Sequence, residues 1–153
     1  MGIQVFSYCA QHARNVKWFM AKTVLVADDH ASMRLSVRLL LEGRHTELSV
    51  HEAVDGVDAI HKAKKSQPDL ILLDLAMPGL NGAETATILK EAMPGTPIIL
   101  FTMCTDLLAN SLSNAIGIDF ISKADGMPKL LERIDALLLP DTASPPGAFD
   151  LRS

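Results

Sequence analysis

The chain has 153 residues, 48% of them hydrophobic and 21% charged, and a formal net charge of −4. That length suits one compact domain with a sizeable aliphatic core and excludes a second folded domain. The acidic balance and the scattered Lys and Arg exclude the clustered basic surface on which non-specific nucleic-acid binding depends, so direct DNA binding is not expected. No apolar run approaches the roughly eighteen residues of a membrane span.

Residues 1–21 read as an N-terminal extension. They hold Phe6, Tyr8, Trp18 and Phe19, four of the seven aromatics in the chain. Two explanations stand side by side: a mis-assigned start, with Met20 as the biological one, or a short docking or dimerising helix over Gln11 to Met20. The first twenty residues lack a continuous apolar segment ahead of a small-residue cleavage site. The two cysteines, Cys9 and Cys104, show no CxxC or metal-ligand spacing. A soluble, cytoplasmic protein in a reducing compartment is the expectation.

From Lys22 short aliphatic runs alternate with amphipathic stretches, the pattern of repeated βα units around a parallel sheet. Strands are predicted over Thr23 to Ala27, Leu48 to Ala53, Leu70 to Asp74, Ile98 to Thr102 and Phe120 to Ser122. Helices are predicted over His30 to Glu42, Gly56 to Lys65, Asn81 to Ala92, Asp106 to Ala115 and Met127 to Leu139. In the first helix Met33, Val37, Leu40 and Leu41 repeat at helical spacing, as do Leu130, Leu131, Ile134, Leu137 and Leu138 in the last, and both sets read as core faces. The breakers Gly43, Pro68, Pro78-Gly79, Pro94-Gly95, Pro97 and Gly117 fall between the units. Residues 141–153, rich in Pro, Ser, Ala and Gly, read as a disordered tail.

Four fragments end in polar groups after apolar runs: Asp28-Asp29, Asp74, Thr102 and Lys123. Strand ends of a parallel sheet share one edge, where such folds place their chemistry. Three carboxylates held together call for a hard cation, and a hydroxyl with an ammonium suits an oxyanion, which together describe a magnesium-assisted phosphoryl-transfer site. Each fragment also has an ordinary reading. One aspartate of the pair serves as a helix cap, Asp74 as the start of a turn, Thr102 as a β-branched strand residue, Lys123 as a solvated loop lysine and Phe120 as core filler. An isolated aspartate closing an apolar strand is costly without a partner, however, and convergence favours function. His30 reads as a surface group in the first helical turn, and His12, His45, His51 and His61 show no ligand spacing. Cys104 reads as a small, partly buried residue near the site rim.

The residues Val-Leu-Val-Ala-Asp-Asp-His at 24–30, Asp-Leu-Ile-Leu-Leu-Asp-Leu-Ala-Met-Pro-Gly-Leu-Asn-Gly at 69–82, Pro-Ile-Ile-Leu-Phe-Thr at 97–102 and Asp-Phe-Ile-Ser-Lys at 119–123 resemble the receiver domain of two-component response regulators. The resemblance spans Lys22 to Leu139, within a receiver domain set at 22–140. It implies a flavodoxin-like (βα)5 three-layer α/β sandwich with strand order 2-1-3-4-5. It further implies that Asp74 takes a phosphoryl group from a histidine kinase or phosphotransfer protein. Mg²⁺ would be bound by Asp29, Asp74 and the Ala76 carbonyl, with Asp28 acting through water. Thr102 and Lys123 would contact phosphoryl oxygens, and Phe120 would turn with Thr102 as the switch. Output would pass to a protein partner through residues 106–139, as a monomer or a phosphorylation-dependent dimer, with no enzymatic activity beyond self-phosphorylation and self-dephosphorylation. A phosphate sink and a phosphorylation-independent adaptor are the alternatives.

Several positions depart from the family pattern. Lys123 is followed by Ala124 rather than proline, as in the branch that carries helix-turn-helix outputs, yet only about a dozen residues follow Leu139; a stand-alone receiver and a fragment are both open. Met103 is bulkier than the usual residue after Thr102 and is expected to narrow access to Asp74. Neither Ala76 nor Cys104 supplies a group to orient an attacking water, so a long-lived acyl phosphate is expected.

Overall fold

Five aliphatic runs, each bounded by breakers, form the strands of the computed structural model, which describes residues 21–103 and 107–139. The expectations for the N-terminal extension, Cys104, Asp106 and the C-terminal tail fall outside the described residues. In chain order the elements are β1 (Lys22–Ala27), α1 (Ala31–Arg44), β2 (Leu48–Ala53), α2 (Gly56–Ser66), β3 (Leu70–Leu73), α3 (Gly82–Ala92), β4 (Ile98–Thr102), α4 (Leu107–Ile116), β5 (Asp119–Ser122) and α5 (Met127–Leu138). A single 3₁₀ turn, Lys123–Asp125, joins β5 to α5.

All the strand pairings are parallel, and the sheet order is β2-β1-β3-β4-β5. Side chains alternate between its faces, as the period of two requires. Val24, Val26, Leu70, Leu72, Ile99, Phe101 and Ile121 pack with Val37 and Leu41 of α1 and with Leu130, Ile134 and Leu138 of α5. Leu25, Ala27, Ile71, Leu73, Ile98 and Leu100 pack on the opposite face with Ala59 and Ala63 of α2 and Ala86 and Leu89 of α3. Burial on both faces explains why β3 and β4 contain almost no polar residue. The three-layer α/β architecture and its strand order are those expected.

Helix starts follow local chemistry. Asp55 accepts the Asp58 amide at 2.8 Å and caps α2, while Asn81 accepts the Glu84 amide at 2.9 Å and caps α3; such caps contribute about 1 kcal/mol each. Asn81, predicted as helical, is therefore the cap of α3 and lies just outside it. Two further expectations are corrected. Gly43 lies inside the last turn of α1 and does not break it: the His45 amide still closes on the Leu41 carbonyl at 2.9 Å, and Arg44 and His45 both reach Asp135 of α5. Those tertiary contacts outweigh the roughly 1 kcal/mol propensity cost of one helical glycine. Leu40, assigned to the core face, is 41% exposed because Val37 and Leu41 set the inward direction and Leu40 falls outside their arc. Among the described residues no helix is long and apolar enough to cross a membrane.

Candidate functional site

The sheet order places β1 beside β3 at its centre, and the chain leaves β1 toward one edge and β3 toward the other. A crevice opens at such a switch point, above the carboxyl ends of the two strands. Ala27 and Leu73 are register partners at the ends of β1 and β3. The next residue of each strand, Asp28 and Asp74, is thus delivered to the same place. Their backbones are held by ladder-like bonds, Asp74 N–H to the Ala27 carbonyl at 2.9 Å and Asp28 N–H to the Ala53 carbonyl at 3.2 Å.

Asp28 and Asp74 are 3% and 4% exposed, and burying two carboxylates side by side demands a cation. Lys123 supplies it. Its Nζ donates to Asp28 Oδ2 at 2.6 Å and to Asp74 Oδ2 at 2.8 Å, and its side chain is 8% exposed. Lys123 follows β5, two strands from β3 in the sheet, so at about 4.8 Å per strand its long stem is what reaches across the end of β4. On the way Nζ passes 5.9 Å from the Phe101 ring. Burial pulls the ammonium pKa down, but the hydrogen bonds it donates to Asp28 and Asp74 and their coulombic attraction outweigh it, and the net direction is upward from 10.5.

Asp29 stands at the outer side of the crevice. His30 Nδ1 lies 2.9 Å from Asp29 Oδ1 and 3.1 Å from Asp28 Oδ1. One potential ligand atom from each of Asp28, Asp29, His30 and Asp74 falls within a group whose members are all within 4.8 Å of one another. Three carboxylates against one ammonium leave a deficit of two positive charges, the charge of a divalent cation, and oxygen-rich donors suit Mg²⁺. On donor chemistry and charge the pocket fits that ion.

The remaining predicted residues take varied places. Ala76 donates its amide to Asp74 Oδ1 at 3.1 Å, which fixes the carboxylate's rotation. Thr102 is fully buried at the end of β4, the register partner of Ser122 just before Lys123. Phe120 is half-buried in β5 and packs against the α2–α3 side of the core. Met103 is 66% exposed immediately after Thr102.

Three residues that sequence reasoning set aside or passed over also shape the site. His30 was read as a surface group, and its ring is indeed open to solvent on one side, yet Nδ1 turns toward the carboxylates. Arg34 donates from Nη1 to the Asp28 carbonyl at 2.7 Å and from Nε to Glu52 at 3.1 Å, tying the acidic loop to β2. Gly82 lets the start of α3 close onto the loop after β3: a Cβ there would meet the Asp74 carbonyl oxygen at 2.2 Å and Leu75 Cα at 2.5 Å. Replacing Arg34 by alanine is expected to cost about 1.5–3 kcal/mol, the range for hydrogen bonds to charged groups, and to weaken cation binding. Urea unfolding with and without Mg²⁺ checks this, and an unchanged midpoint together with unchanged cation binding would show that Arg34 does not hold the loop.

The response regulator receiver domain model matches residues 24–135. The chain belongs to this family. A putative transcriptional regulator of Pseudomonas aeruginosa is 35% identical to the receiver over 127 residues, covering 82% of this chain and 61% of that protein. The DNA-binding response regulator MtrA of Mycobacterium tuberculosis is 34% identical over 120 residues, covering 78% of this chain and 51% of MtrA. The chain therefore spans about half to three fifths of the length of these relatives. Among solved structures, chemotaxis protein CheY4 of Vibrio cholerae is 28% identical with a TM-score of 0.69, covering 76% of this chain and 98% of CheY4. Response regulator TrrA of Thermotoga maritima, solved in complex with Mg²⁺ and BeF, is 27% identical with a TM-score of 0.69, covering 76% of this chain and 99% of TrrA.

Proposed function

We propose that this receiver is a phosphoacceptor of a two-component phosphorelay, taking a phosphoryl group on Asp74 from a histidine kinase or phosphotransfer protein in the cytoplasm. The observation that carries the reading is the buried Asp74 carboxylate bonded to Lys123 at 2.8 Å, beside Asp28 and Asp29. Phosphoryl transfer needs alignment and charge neutralisation more than covalent assistance. An Asp74 carboxylate oxygen attacks phosphorus, the bond from phosphorus to the donor nitrogen breaks, and the nitrogen keeps the electron pair. Asp28, Asp29, Asp74 and the Ala76 carbonyl would hold Mg²⁺, which when bound supplies positive charge beside the phosphoryl oxygens.

The chain's own groups do the rest. The Ala76 amide steadies the nucleophile's orientation. Lys123, already at Asp74, exchanges its Asp28 contact for a phosphoryl oxygen, and Thr102 offers its hydroxyl to another. Movement at Thr102 leaves room for Phe120 to turn inward, shifting the population toward a face that a protein partner binds. That face is assigned to residues 106–139, where Phe120, Lys129 and Arg133 line a groove of about 330 Å³ between β5 and α5. No contact with DNA is assigned to this domain, and no turnover of free substrates: Asp74-Leu75-Ala76 lacks the acid/base carboxylate that an Asp-x-Asp motif places two residues after the nucleophile.

Intact-mass analysis after incubation with phosphoramidate tests the reading. One added phosphoryl group with Mg²⁺ and none with a chelator is the expected result, and uptake indifferent to the cation would contradict it. The phosphorylated form is also expected to decay more slowly than that of an Ala76→Asn variant, because alanine offers no carboxamide to orient water. Equal decay, or a faster wild type, would remove that expectation.

A further inference from the structure

His30 occupies the N-cap position of α1, yet its side chain caps nothing in the helix. Instead its backbone amide donates to Asp28 Oδ1 at 2.8 Å, which locks the residue's position, and the ring swings back over the acidic pair. Nδ1 ends 2.9 Å from Asp29 Oδ1 and 3.1 Å from Asp28 Oδ1. Donor atoms held about 2.1 Å from a common octahedral ion sit about 3 Å apart on neighbouring vertices. The His30 nitrogen therefore already stands where a ligand adjacent to both carboxylates would stand, and no backbone movement is needed to bring it there. In the structure Nδ1–H donates to the Asp28 carboxylate. The side chain is 68% exposed, so its Nε2 edge can carry the ring proton instead when a cation enters, and in that tautomer the Nδ1 lone pair faces the pocket.

A nitrogen donor changes which ion the site prefers. Mg²⁺ favours oxygen and dehydrates reluctantly, whereas imidazole suits first-row transition ions, whose affinity for a mixed N/O site rises from Mn²⁺ through Co²⁺. We propose that His30 is a direct ligand of the cation pocket and gives this receiver a preference for Mn²⁺ and Co²⁺ over Mg²⁺. The inference rests on reading Asp28, Asp29 and Asp74 as a cation site, and it adds selectivity to that reading. Mg²⁺ remains a competent ion, held by the oxygens alone. His45, the other described histidine in contact with a carboxylate, bonds Asp135 at 2.7 Å between α1 and α5.

The test measures Mn²⁺ and Mg²⁺ binding to the full chain for the wild type, His30→Ala and Asp29→Asn, with Mn²⁺ followed by electron paramagnetic resonance and Mg²⁺ by competition. His30→Ala is expected to weaken Mn²⁺ binding roughly tenfold, in the range seen when a ligand's support is lost, while Mg²⁺ affinity stays within about twofold. Electron spin echo spectra of the Mn²⁺-loaded wild type are expected to carry nitrogen modulation that His30→Ala abolishes. Unchanged Mn²⁺ affinity in His30→Ala, or no nitrogen modulation in the wild type, overturns the role of His30 while cation loss in Asp29→Asn keeps the oxygen site standing. Unchanged binding of both ions in Asp29→Asn overturns the cation pocket itself, and the selectivity proposal with it.

Discussion

Replacing Lys123 by methionine is expected to destabilise the fold by about 3 kcal/mol or more, because breaking a buried ion pair strands the partner charge. Here two charges are stranded: Asp28 and Asp74 both give up their ammonium, and neither is exposed enough for water to take its place. For a domain of this size the loss is roughly 10 °C in Tm. Methionine keeps the length of the stem, so the effect isolates the charge from the packing. Mg²⁺ is expected to recover much of the loss, since a ligand that binds only the folded state adds stability in proportion to the logarithm of its concentration. The pH dependence has a definite sign. The folded ammonium pKa is raised above 10.5, so its contribution is complete below that value and fades as pH rises through the folded pKa. The wild type and the variant should therefore differ fully at neutral pH and converge in strong alkali. Thermal unfolding at several pH values and Mg²⁺ concentrations measures all of this. A variant with the wild-type Tm and no response to Mg²⁺ would show that the two carboxylates are not held by Lys123.

Gly82→Ala is expected to be nearly as damaging to stability and worse for function. The added methyl would overlap the Asp74 carbonyl oxygen at 2.2 Å and Leu75 Cα at 2.5 Å, both backbone atoms that cannot rotate away. Relief requires the start of α3 and the loop after β3 to separate, which breaks the Gly82 N–H bond to the Leu75 carbonyl at 3.1 Å. Overpacking of this kind costs about 1–3 kcal/mol. The functional cost is larger because the displaced backbone is that of the nucleophile, and a misplacement of about 1 Å can reduce a transfer step by on the order of a hundredfold. Phosphoryl uptake from phosphoramidate, compared at a temperature where the variant is folded, checks this. Uptake at the wild-type rate would mean that the loop accommodates the methyl without moving Asp74.

Much of this architecture was legible before any coordinate. Asp28, Asp74 and Lys123 each follow an apolar run, and a parallel sheet must bring such strand ends to one edge, so their meeting needed only the strand pattern. Which strands are neighbours was not contained in periodicity: the 2-1-3-4-5 order came with the resemblance to receiver domains. Contributions that depend on long-range partners were invisible locally. Arg34 looks like any helical arginine until β2 brings Glu52, eighteen residues away, and the Asp28 carbonyl against it. Gly82 reads as a weak helix former, and only the close approach of α3 to the Asp74–Leu75 backbone gives it a reason. His30, predicted as the first helical residue, is the N-cap just outside α1, and it looked like a surface residue because surface exposure and a ligand's reach are both compatible with that position. Leu40 was misplaced for a related reason: Met33, Val37, Leu40 and Leu41 share one stripe about 100° wide, and which edge of it turns outward is set by the sheet, which takes Val37 and Leu41 and leaves Leu40 at the margin.

The most direct test of the account is to trap the acyl phosphate. The wild type and Asp74→Ala would be incubated with Mg²⁺ and phosphoramidate, reduced with borohydride, and digested for peptide mass analysis. Conversion of Asp74 alone to homoserine, absent from the variant, is the result this account predicts. Reduction at Asp28 or Asp29, or equal phosphorylation of the Asp74→Ala protein, would contradict it.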